Sequence, residues 1–182
     1  MSLSAWRSSE RPHTSMVVSK VRMTERSREP NDHEIVARQL GREPTPFRVA
    51  ARCPAGLPSV IENEPRREMP TTFWVTCPSL DAAISRVESG AGVRRAQEEI
   101  GAQAVDEIHA EHQRRYGARV AGVGGPAGEP NGRVKCLHAF TALHLSGAIP
   151  NPVAEWTLAR LERAYADPSR CPRCARRREE KG

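Results

Sequence analysis

The sequence predicts an α+β fold: a small three-stranded antiparallel sheet packed against several helices, with disordered basic tails. Three observations predict it. Three β-prone runs, FRVAARC (47–53), SVIENE (59–64) and TTFWVTC (71–77), lie close together and are parted by Pro-bearing turns. From residue 79 onward the apolar residues recur at i, i+3, i+4 and i+7 instead. Residues 1–30 and 168–182 show no periodicity of either kind.

Taken in order, the first element is NDHEIVARQLGR. Asn31 or Asp32 can cap it, Ile35, Val36 and Leu40 form an apolar stripe, and Gly41 ends it. The three strands follow, with PAGLP as the turn between the first two. The first and third strands each end in Cys-Pro, at Cys53 and Cys77, because proline leaves the ladder without a donor. Ser79 can then cap LDAAISRVES, whose stripe is Leu80, Ala83, Ile84 and Val87 and which Gly90 terminates. Residues 93–120 read as one long helix or a pair, GVGGPAGEPNG (122–132) as a loop, and VKCLHAFTALHLSG as a helix ended by Gly147. The last helix, 151–165, has Pro152 in its first turn. The simplest assembly places the helices on one face of the sheet. This gives a tail over 1–30, one α+β domain over 31–167 and a CPRC-containing tail over 168–182.

The charge distribution excludes one class of function. Of 28 basic residues 25 are arginine, and the formal net charge is +6. Residues 1–30 carry +3 and residues 170–182 carry +4, which leaves 31–169 at −1. A nucleic-acid-binding fold shows its basic face on the fold itself, so the sequence argues against specific nucleic-acid recognition. No apolar run approaches the roughly 20 residues of a membrane helix, and the first 15 residues lack the apolar stretch of a secretory signal. The expectation is a cytoplasmic protein, not membrane-bound, with an unidentified protein partner; its oligomeric state is not legible.

Five cysteines in such a chain point away from a disulfide framework and towards metal ligands, reactive thiols or packing. Cys53, Cys77 and Cys136 all lie at element ends, and His138 stands two residues from the last. Three thiolates and one imidazole would close a tetrahedral zinc site. In a regular helix, residues two apart diverge by about 200°, so Cys136 and His138 can share an ion only if the helix starts irregularly there. His144 is a substitute ligand. CPRC contributes Cys171 and Cys174 at knuckle spacing, as additional ligands or as part of an Fe–S cluster if one replaces the histidine. The competing reading is a thiol-dependent enzyme in which His138 activates a cysteine, with Arg133 and Lys135 binding an anionic substrate. GVGGP (122–126) matches no phosphate-binding signature and reads as a connector. His112 falls on an apolar stripe and reads as a core histidine beside a solvated acidic face. HEIVA (33–37) lacks the second histidine of a zincin, and no GxSxG occurs.

Several stretches together resemble a known family: RCPAGLPSVIE (52–62), TTFWVTCPSL (71–80), AISRVESGAGV (83–93), HAEHQRRY (109–116) and GRVKCLHAFTALHLSGAIPNPV (132–153). They are similar to the mostly actinobacterial family catalogued as domain of unknown function 501, over roughly residues 31–155. The resemblance implies no established activity or cofactor. Its motifs fall on Cys53, Cys77, Cys136 and His138, and also on Gly56, Arg133, Lys135, Asn151 and Pro152. One departure is Phe140, where the family pattern has a second histidine. The resulting expectation is a binding or regulatory module holding zinc through Cys53, Cys77, Cys136 and His138.

Overall fold

A computed structural model describes residues 31–117, 120 and 132–161. The two tails, the 122–126 glycine segment and Cys171 and Cys174 lie outside the described residues. Within them the order is α1 (Asp32–Leu40), β1 (Phe47–Arg52), β2 (Pro58–Asn63), β3 (Phe73–Val75), α2 (Pro78–Ser89), α3 (Gly92–Ile100), α4 (Ala102–Tyr116), α5 (Leu137–Leu145) and α6 (Pro152–Leu158). The sheet is antiparallel in the order β1-β2-β3, as the sequence predicts.

Helices cover both faces of that sheet, not one. Alternation along a strand sends neighbouring side chains to opposite faces. Val60, Phe73 and Val75 therefore pack into the main core with Leu80, Ile84, Leu137, Phe140 and Leu143. The cross-strand pair Ile61 and Trp74 faces the other way, where Ile61 and Val36 of α1 are buried with Met69. The sequence understates this because β2 is so short that α1 can close its outer face with a single turn of apolar residues.

The α1 boundaries follow the sequence reading. The Glu34 N–H donates to Asn31 Oδ1 at 2.9 Å, and Gly41 ends the helix at φ 69°. α2 starts two residues earlier than the Ser79 cap implies, with Cys77 at the N-cap and Pro78 as the first helical residue. The 93–120 segment is a pair, broken at Gly101, whose φ of 83° only glycine adopts without strain. β3 keeps three of the seven residues expected of it.

The largest difference precedes α5. Residues 132–136 belong to no helix or strand, and Cys136 is the N-cap, at φ −160° and ψ 121°. The Cys136–His138 pair thus straddles the helix boundary, the irregularity that joint use of the two side chains requires. Beyond it, Leu137, Ala139, Phe140, Thr141, Ala142 and Leu143 are all buried. A helix buried on most of its circumference is the centre of a core, and α5 packs against β3, α2 and α6.

Candidate metal centre

α2 brings three polar side chains to the start of α5. Asp81, Ser85 and Glu88 are spaced i, i+4 and i+7, so they share one face beside the Leu80, Ala83, Ile84 stripe. That face meets His138. His138 Nδ1 lies 3.3 Å from Glu88 Oε1. His138 Nε2 lies 3.1 Å from the Asp81 carbonyl oxygen, 3.4 Å from Asp81 Oδ1 and 3.4 Å from Ser85 Oγ. Glu88 also accepts the Leu137 N–H at 2.6 Å. A carboxylate from another helix therefore satisfies one of the orphan donors of α5, where the helix dipole favours negative charge.

Ligand atoms of Glu88, Cys136 and His138 all lie within 4.8 Å of one another. Among the described residues this is the grouping of His, Cys, Asp and Glu side chains able to hold a metal ion. All three residues are partly buried, with the His138 and Glu88 side chains 21% and 26% exposed. A tetrahedral ion with bonds of about 2.0 Å to nitrogen and oxygen separates those atoms by roughly 3.3 Å, the separation found between Nδ1 and Oε1. The other ring nitrogen already faces a backbone carbonyl and a carboxylate. That is the arrangement that fixes the tautomer of a metal-bound histidine.

The other sequence-derived ligands lie elsewhere. Cys53 and Cys77 follow β1 and β3, which flank β2, so they sit at the same end of the sheet but about two strand spacings, roughly 9.6 Å, apart. The Cys53 backbone serves the turn, its N–H donating to Leu57 O at 2.9 Å and its carbonyl accepting from Gly56 N at 2.8 Å. Its side chain packs with Ile35 and Leu57 near α1. Cys77 is buried in the main core, at the opposite end of α2 from Glu88, about 16 Å along the helix. Neither joins Cys136 and His138; Glu88 takes their place. His144 lies in the last turn of α5, where its Nδ1 accepts the Asn151 N–H at 3.2 Å. Arg133 and Lys135 are exposed while Val134 is buried and Cys136 partly so. Burial alternates along 132–135, and the two cations lie on its exposed positions. His109 and His112 are buried, as a core reading of His112 requires, and His109 Nε2 lies 3.1 Å from the Arg133 carbonyl oxygen.

The electrostatics of the trio favour positive charge on His138. Burial lowers the pKa of His138, but hydrogen bonds to Cys136 and Glu88 and the nearby carboxylate charge outweigh it, pushing the value up to about 10. For Glu88, burial acts upward, and the hydrogen bond and charge of His138 outweigh it, holding the carboxyl below its usual range. In the metal-free protein the two form an imidazolium–carboxylate pair. The raised histidine stabilises the fold fully below its unfolded value near 6.5, and this contribution disappears as pH rises through about 10. We therefore expect the melting temperature of metal-free protein to fall more between pH 6 and pH 10.5 in wild type than in His138→Gln. Parallel melting curves for the two proteins across that range would contradict this assignment.

A family model described as "Protein of unknown function (DUF501)" matches residues 49–121 and 102–159. No curated protein and no solved structure matches the chain.

Proposed function

This chain belongs to the DUF501 family, and on the geometry of its own residues we propose that it is a metal-binding protein holding one zinc ion through Glu88, Cys136 and His138. The observation that carries the reading is the convergence of a carboxylate, a thiol and an imidazole within 4.8 Å, with the second histidine nitrogen already engaged by Asp81. These donors suit zinc, which takes sulfur, nitrogen and oxygen ligands with no preference in geometry from its d electrons. Thiolate and carboxylate together neutralise a dication, so a partly exposed site carries little desolvation cost.

The ion would tie α2 to the first turn of α5 and to residues 132–136. It would therefore act on the centre of the core, which suits a binding or regulatory module. Binding must displace the proton of His138, so affinity rises with pH. Elemental analysis of protein purified without chelator tests the reading: one zinc per chain supports it, and metal-free protein that takes up none on addition contradicts it.

A second reading has one specific observation in its favour. Cys136 sits at the N-terminus of α5 and hydrogen-bonds His138, the pairing of thiol and imidazole found around cysteine nucleophiles. Rapid alkylation of Cys136 in metal-free protein, with no zinc uptake, would favour a thiol-dependent enzyme. An Fe–S cluster would need Cys171 or Cys174, and a brown protein would identify it. Among the described residues no helix is long and apolar enough to cross a membrane.

A further inference from the structure

Residues 132–136 carry one proposed ligand, lead directly into another, and pair with no strand. Buried backbone polar groups need partners, and here side chains of α3 and α4 supply them. Gln97 binds at two points: its Nε2 donates to the Gly132 carbonyl at 2.6 Å, and its Oε1 accepts the Val134 N–H at 2.6 Å. Asp106 Oδ1 accepts the Gly132 N–H at 2.7 Å. His109 Nε2 meets the Arg133 carbonyl at 3.1 Å. Contact is equally close below the chain. A Cβ on Gly132, whose φ is +47°, would stand 2.6 Å from Ala102 Cβ and 2.8 Å from the Ala102 carbonyl oxygen. Two residues beyond Val134, Cys136 begins the site, and the next amide, Leu137 N–H, is the one held by Glu88.

We propose that Gln97 is a positioning residue for the metal centre, with Asp106 as its partner, an inference that rests on the metal reading above. Through two opposed hydrogen bonds Gln97 fixes the height and direction at which residues 132–136 arrive at α2. Cys136 and His138 are thereby presented to Glu88 before any ion binds. Gln97 hydrogen-bonds none of the three ligands and acts through the backbone that carries Cys136 and His138.

The test measures zinc affinity by competition with a chromophoric chelator, together with hydrogen exchange at the Leu137 amide in metal-free protein. Gln97→Ala is expected to weaken zinc binding by roughly 10–100-fold, the usual cost of losing support for a ligand, and to speed Leu137 exchange. Asp106→Ala should act in the same direction, while Asp106→Asn, which keeps the acceptor, should restore wild-type affinity. Ile61→Val, in the cluster under α1, serves as the control: it lowers stability and should leave affinity unchanged. If Gln97→Ala does not fold, the two Asp106 variants decide the matter. Unchanged zinc affinity in folded Gln97→Ala overturns the proposal. If wild type itself binds no zinc, the metal reading fails, and Leu137 exchange alone decides whether Gln97 positions this segment.

Discussion

His138→Ala will lose stoichiometric zinc binding, whereas Cys53→Ser and Cys77→Ser will bind as wild type does. The contrast separates the grouping of Glu88, Cys136 and His138 from the set the cysteine pattern suggests. His138 supplies Nδ1, 3.3 Å from Glu88 Oε1, while His144 is engaged with the Asn151 amide and His109 with the Arg133 carbonyl. Loss of a ligand should exceed the roughly 10–100-fold effect of losing a partner to a ligand. Asp81→Ala should fall on the mild side of that range, because the Asp81 backbone carbonyl, at 3.1 Å the nearer of its two oxygens, stays in place. Isothermal titration with zinc checks the whole series. A Cys77→Ser protein with the same deficit as His138→Ala would return the site to the strand ends and remove Glu88 from it.

Asn151→Ala is expected to cost about 3 kcal/mol or more of stability. The residue is 1% exposed and its amide is fully used. Nδ2 donates to the Phe140 carbonyl at 3.0 Å and to the Ile149 carbonyl at 3.1 Å, while Oδ1 accepts the Ala154 N–H at 2.9 Å. Losing the cap alone costs about 1 kcal/mol, and each buried group left without a partner adds about 1–3 kcal/mol. Asn151→Ser keeps a capping oxygen and should recover about 1 kcal/mol of the loss. Chemical denaturation of the metal-free proteins provides the comparison. An Asn151→Ala protein within 0.5 kcal/mol of wild type, an ordinary surface effect, would mean that α5 and α6 hold their junction without this residue.

Much of the fold was legible because local chemistry decides it. Asn31 and Gly41 bound α1 through a cap and a left-handed residue, and three β-prone runs between prolines could hardly be anything but a small sheet. The coverage of both sheet faces was harder to read. Val60 and Ile61 face opposite layers because a strand alternates, but that helices cover both layers is decided by tertiary packing. The candidate site was half legible. Cys136 and His138 stood out by type and spacing, and the need for an irregular helix start was met by an N-cap at Cys136. The Cys-Pro symmetry of Cys53 and Cys77 does not extend to their surroundings: Cys53 packs against Ile35 and Leu57, whereas Cys77 lies in the main core.

Glu88 was missed for a different reason. A glutamate at the end of an amphipathic helix is ordinary, and nothing in its own neighbourhood marks it. The available signal was the polar stripe of Asp81, Ser85 and Glu88 beside the apolar one. That stripe acquires meaning only once tertiary packing sets α5 against α2.

The most direct test of the central claim is a cobalt(II) titration of metal-free protein followed by absorption spectroscopy. Cobalt replaces zinc in such sites and reports its ligands through colour. One equivalent is expected to produce a sulfur-to-cobalt charge-transfer band together with intense visible bands of a four-coordinate ion. The charge-transfer band should vanish in Cys136→Ser, persist in Cys77→Ser and weaken in Glu88→Gln. A wild-type spectrum without the sulfur band, or one unchanged by Cys136→Ser, would contradict the claim that Glu88, Cys136 and His138 form a metal centre.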